Sequence, residues 1–268
     1  MEHTDEQAAR ALLRWYAEMG VDEAVAPQPA DLYSWTAQEQ TFARPTRQSA
    51  DRAPAPQPQP VAPEPTVDEA IKTAEKIAAA CSDFEALDAA VRSFDGCPLK
   101  TGAKNTVFTD GVVGAELLVI GEAPGREEDQ TGKPFVGRAG QLLDRMLASI
   151  GRSRTENALI SNVIFWRPPA NRAPTPLETA VCRPFVDRLI EISAPKAILI
   201  AGGAPLQALL GVTGIMRARG IWREVETASG TTIPAIPTYH PAFLLRQPTG
   251  KRLAWADLQS LAEKLKER

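Results

Sequence analysis

Cysteine is scarce. Cys81, Cys97 and Cys182 are the only three in 268 residues, an odd number that cannot close into a disulfide framework, so a reducing, cytoplasmic setting is expected. No run of about 18 apolar residues occurs, which leaves no candidate membrane-spanning helix. The opening MEHTDEQAAR is polar and acidic and lacks the apolar stretch of a secretory leader. Histidine is scarcer still, with only His3 in the tail and His240. Two motif classes are also missing. The first glycine loop reads GEAPG rather than GxGxxG and puts Glu122 and Pro124 where phosphate would approach, which disfavours a nucleotide-binding Rossmann-like enzyme. No HxE accompanied by PCxxC is found, the pattern of a zinc-dependent base deaminase.

What is present is enough for a core, with 44% hydrophobic residues in a length that suits one large or two small domains. The net charge of −3 hides a division. Residues 1–80 carry seven basic and thirteen acidic side chains, and the remainder twenty-three basic and twenty acidic. A mildly basic C-terminal part is compatible with nucleic-acid binding without demanding it.

Residues 1–25 place Ala8, Leu12, Leu13, Tyr16 and Met19 at helical spacing, which predicts an amphipathic helix whose apolar face would dock on a partner protein. Residues 26–66 hold nine of the 23 prolines, including APAPQPQPVAPEP, and read as a disordered linker. The folded domain is expected over 67–268. Its elements begin with two helices within 67–93, with Ser82 and Asp83 as caps between them. Strands are expected at 117–120, 158–164, 196–201 and 233–238, each a short apolar run. Helices are expected at 141–150, 176–193, after Gly202-Gly203, and near the C-terminus. Strands alternating with helices predict an α/β fold, a three-layer αβα sandwich with a mostly parallel central sheet. In such a sheet the strand ends share an edge, so the Gly121 loop, Asn162, Gly202-Gly203 and His240 should converge on one crevice.

The stretch from Leu117 to Ile150 organises the rest: a strand, a GEAPG turn, a loop with three successive carboxylates, then PFVGRAG and a helix. Three such carboxylates are otherwise an ordinary solvated face. GEAPGREEDQTGKPFVGRAGQLLD, followed by NVIFWRPPANRAPTP and YHPAFLLR, resembles the uracil-DNA glycosylase superfamily, and within it the iron-sulfur-containing family-4 type, over about residues 90–262. The resemblance implies a monofunctional DNA repair enzyme that hydrolyses the N-glycosidic bond of uracil, and conceivably of other deaminated bases, to leave an abasic site. The alternative is a catalytically weak DNA-damage binding module that recruits partners through the N-terminal segment.

That chemistry needs a base out of the stack, charge stabilised on the departing pyrimidine, and water at the sugar. The resemblance gives His240 as the donor to uracil O2 and Phe135 as the ring stacked on the base, with Gly121 a further substrate-binding position. The Asn162 amide can pair with O4 and N3 of uracil. Where other superfamily members carry a catalytic aspartate, this chain has Ala123, which leaves Glu122 and Glu128 as alternatives for handling the water. For DNA, Leu244 is the expected wedge by its place in the motif, with Arg246, Arg167, Asn171 and Arg172 on phosphates. No lysine stands in these motifs to form a Schiff base, so no lyase step is expected. A monomer is expected.

One departure from the family stands out. The four positions that hold a 4Fe-4S cluster in its members are Phe94, Cys97, Trp166 and Cys182 here. Two bulky apolar residues cannot ligate iron. The expectation is no cofactor and no metal, Cys97 and Cys182 being remnants of the set, with Phe94 and Trp166 packing the vacated volume.

Overall fold

The computed structural model describes residues 67–267; the expected N-terminal helix and proline-rich linker lie outside them. Two helices open the domain, α1 (Val67–Ala80) and α2 (Phe84–Ser93). Asp83 caps α2 by accepting from the Ala86 N–H at 2.9 Å, as its place between two apolar-periodic runs suggests. A short edge strand, β1 (Thr109–Gly111), precedes the central β2 (Leu117–Gly121). Helices α3 (Arg126–Thr131) and α4 (Arg138–Ala148) follow, then β3 (Ala158–Asn162), α5 (Pro176–Ser193), β4 (Ala197–Ala201), α6 (Gly203–Leu210) and α7 (Ile215–Ala218). The chain closes with β5 (Arg223–Glu226), β6 (Thr232–Thr238), α8 (Pro241–Arg246) and α9 (Lys251–Lys264).

The sheet order is β1-β3-β2-β4-β6-β5. The four inner strands are parallel and the two edges antiparallel. Strands β2, β3 and β4 are buried at every position, which is why they read as continuous apolar runs rather than alternating ones. One apolar cluster packs α1, α2 and α5 on one face, and a second packs α4 and α9 on the other. This is the expected three-layer α/β arrangement.

Several details differ from the sequence reading. The second strand stops at Asn162 rather than Ile164, because β2 ends opposite it at Gly121. Val163 and Ile164 then donate to the carbonyls of Gly121 and Glu122, so the backbone stays paired while leaving the ladder. The carboxylate loop after GEAPG is instead the helix α3, and it is not a solvated face. Asp129 is buried and accepts from the backbone N–H groups of Lys104 and Asn105, at 2.8 and 3.2 Å.

Candidate active site

The carboxyl ends of β2, β3 and β6 open into a cleft of about 500 Å³. Glu122, Glu128, Phe135, Asn162, Asn171, Arg172, His240 and Arg246 all line it, so eight of the expected site residues meet. Gly202 packs against the His240 side chain, but neither it nor Gly203 faces the cleft.

Gly121 is the floor. A Cβ there would lie 2.3 Å from the Phe135 ring and 2.5 Å from Asn162 Oδ1, far inside contact distance, so only glycine lets the ring and the amide close over the end of β2. Asn162 is 2% exposed, yet its carboxamide forms no hydrogen bond within the described residues. Its backbone is fixed by the strand and its amide borders the cleft, so both a donor and an acceptor are held ready for a ligand. The amide atoms keep solvent contact at the cleft, where a ligand can take the place of water.

His240 follows β6 and caps α8. Its Nδ1 accepts from the Ala242 backbone N–H at 3.1 Å. In a neutral imidazole an accepting Nδ1 leaves the proton on Nε2, so the ring carries one fixed N–H donor. Burial, with a smaller contribution from the Arg246 charge, lowers the pKa of His240 from 6.5 to about 4, which keeps it neutral at physiological pH. Its ring lies against that of Phe135, centroids 5.5 Å apart and planes at 28°.

The two carboxylate alternatives separate. Glu128 is fully occupied by backbone: it accepts from Gly125 N–H at 3.1 Å, and from Val136 and Gly137 N–H at 3.0 and 2.9 Å. It ties the GEAPG turn to the Phe135 loop, an engagement that Glu122 does not share. Glu122 has no partner among the described residues, and burial raises its pKa above the ordinary 4.5. A desolvated, unpaired carboxylate in a cleft is the usual signature of a group kept for chemistry.

A family model for the uracil DNA glycosylase superfamily matches residues 108–259. The Type-4 uracil-DNA glycosylase of Thermotoga maritima is 36% identical over 188 residues, which span 69% of this chain and 95% of that protein. The Type-4 uracil-DNA glycosylase of Archaeoglobus fulgidus is 40% identical over 188 residues, 67% of this chain and 94% of that one. The chain belongs to the uracil-DNA glycosylase superfamily.

The segment before α9 holds the expected DNA contacts Leu244 and Arg246. Leu244 is 1% exposed and sits in the second apolar cluster with Leu142 and Leu258, so it is a core residue, which corrects its reading as the wedge. A six-residue helix packed on α4 and α9 buries Pro241 and Leu244 and leaves Phe243 and Leu245 partly exposed. Phe243 lines the cleft beside the exposed Arg246 and is the better-placed apolar tip. Leu244→Ala should therefore cost about 2–5 kcal/mol of stability, read as a lower Cm in denaturant, whereas Phe243→Ala, at a partly buried ring packed on Tyr239, should lower Cm less. Of the cations after β3, Arg172 is paired through both terminal nitrogens with Glu178 at 2.9 and 2.5 Å. Arg167 donates to Asn171 Oδ1 at 2.7 Å and does not line the cleft. These pairs stiffen the loop and leave Arg246 as the cation at the cleft without a salt bridge.

The four positions expected to hold a cluster lie in the first apolar cluster, with α1, α2 and α5. Phe94 packs edge-on against Phe185, centroids 5.0 Å apart, and tilted against Trp166 at 6.5 Å. The Trp166 indole N–H donates to Thr106 Oγ1 at 3.0 Å. Cys97 and Cys182 are buried, and the neighbouring Cys97 thiol together with burial pushes Cys182 well above its ordinary 9.0. Two thiols and two packed rings do not fit a four-thiolate cluster, and no group of three or more metal-ligating side chains occurs among the described residues.

Sequence reasoning missed Arg154 and Asp110. Arg154 donates to the carbonyls of Pro134 and Phe135 at 3.0 and 2.8 Å and to Asp110 at 2.9 Å. No motif flags Arg154, because its place depends on β1 pairing with β3.

Proposed function

We propose that this protein excises uracil from DNA as a monofunctional glycosylase and does so without an iron-sulfur cluster. The observation that carries the reading is the pairing, in one cleft, of a neutral imidazole with a fixed N–H and a carboxamide that opens to the cleft with no protein partner. Uracil offers O2, O4 and N3–H to those groups, whereas cytosine presents the opposite donor and acceptor pattern at N3 and N4. With the base flipped against Phe135, the bond between C1′ and N1 breaks heterolytically and the electron pair leaves with the pyrimidine. The His240 N–H stabilises the charge that grows at O2. Glu122 faces the cationic sugar and orients the water whose oxygen adds to C1′; the proton that this water sheds balances the one taken up by the uracil anion, and the products are uracil and an abasic site.

No lysine lines the cleft, which supports hydrolysis without a lyase step. Phe243, Arg246 and Asn171 serve as the DNA contacts at the rim, so binding should weaken as salt rises. Three unpaired buried cysteines suit a cytoplasmic protein. Incubation with a uracil-containing oligonucleotide followed by alkaline cleavage tests the activity: strand scission only after alkali supports the reading, and an intact strand ends it. Purified protein should carry no stoichiometric iron and show no visible charge-transfer band. An intact cluster by either measure would overturn the cofactor part alone.

A further inference from the structure

The Phe135 ring can wall the cleft only because its backbone adopts an unusual conformation. Phe135 has φ of 54°, in the left-handed region that costs a bulky residue about 1–3 kcal/mol unless its surroundings hold it. Gly140 shows how closely the kink is packed, since a Cβ there would lie 1.7 Å from the Phe135 carbonyl oxygen. Two side chains of opposite charge hold the turn from its two polarities. Glu128 takes the N–H groups of Val136 and Gly137. Arg154 takes the carbonyls of Pro134 and Phe135, and is itself anchored by Asp110 on β1 and Asp144 on α4.

We propose that Arg154 is a positioning residue for base excision, holding the Phe135 peptide in its left-handed turn so that the ring stands at the cleft. Arg154 sits 15% exposed and is absent from the cleft lining, so it acts only through Phe135. A planar guanidinium with donors on both terminal nitrogens can span two successive carbonyls while pairing with carboxylates on either side; a lysine ammonium, a single point of charge, cannot reproduce that fork. Asp110 and Asp144 fix the fork's direction, and Lys133 shares Asp110 at 3.3 Å. The strain at Phe135 is thus opposed by charge-assisted bonds drawn from three separate elements.

The proposal rests on the uracil-excision reading, and a double-mutant cycle on the full chain separates the two. Single-turnover release of uracil is measured for wild type, Arg154→Lys, Phe135→Ala and the double variant, alongside affinity for ordinary duplex DNA. Arg154→Lys should slow release roughly 10- to 100-fold, as expected when a reacting group is displaced by about 1 Å, with less than about a two-fold change in affinity for ordinary duplex DNA. In the Phe135→Ala background the same change should add no further loss. An equal loss in both backgrounds would overturn the proposal, as would no loss in either. Arg154→Lys keeps a cation between Asp110 and Asp144. If it nonetheless fails to fold, Asp110→Asn, which loosens the same fork, takes its place with the same expectations. Wild type that releases no uracil would instead defeat the excision reading.

Discussion

Replacing His240 with Ala should slow uracil release roughly 100- to 1,000-fold under single-turnover conditions, the usual cost of deleting one donor to a developing anion, while leaving duplex affinity nearly unchanged. The reason is the tautomer. With Nδ1 accepting from Ala242 N–H, the ring has one proton and one direction in which to give it. Because burial lowers its pKa to about 4, no titration of His240 should appear in the wild-type rate between about pH 5 and 8. The same shift has a stability consequence. A histidine whose folded pKa lies below its unfolded 6.5 favours the native state fully above that value, and the contribution is lost as pH falls toward about 4. Denaturation midpoints of wild type should thus fall over that window more steeply than those of His240→Ala. A rate for His240→Ala within about two-fold of wild type would remove His240 from the chemistry.

Glu122→Gln should have the second large effect, a loss of roughly 100- to 10,000-fold at neutral pH if its charge orients the water and faces the cationic sugar. Burial raises its folded pKa, so the acid limb of wild-type kcat/KM should lie above the ordinary carboxylate range and vanish in Glu122→Gln. The sign of the stability effect is opposite to that of activity. A carboxyl whose folded pKa exceeds its unfolded one stabilises the protein below the unfolded pKa, and that contribution disappears as pH rises through the folded value. At neutral pH the ionised, unpaired Glu122 is therefore a net cost, and Glu122→Gln should melt higher than wild type at pH 7 with a smaller gain near pH 4. A variant both inactive and less stable at pH 7 would point to a structural role instead.

The central strands were legible because burial on both faces writes them as unbroken apolar runs, Leu117–Ile120 and Ala197–Ala201 among them. The edge strands were not. Thr109–Gly111 is three residues long, and Arg223–Glu226 buries only Val225. Helix α3 escaped notice because it has no apolar stripe; its shape comes from backbone bonds and from Glu128 reaching back to Gly125 N–H, a capping relation that the Gly125-to-Glu128 spacing could have signalled. In the site, His240, Asn162 and Phe135 could be found from motifs because each sits at a strand end or in a glycine-rich loop. Leu244 was misplaced because a short apolar stretch gives no sign of which residue turns inward until α4 and α9 pack against it. Arg154 was invisible for a related reason: it lies 44 residues from Asp110, and only the antiparallel register of β1 on β3 brings them together.

The most direct measurement is base release from otherwise identical oligonucleotides carrying uracil, hypoxanthine, xanthine or cytosine, run with wild type, His240→Ala and Asn162→Ala. The expected result is uracil release by wild type, none from the cytosine strand, and severe loss of uracil release in both variants. Equal rates in all three proteins would contradict the assignment of the cleft as the place where uracil is held and cleaved.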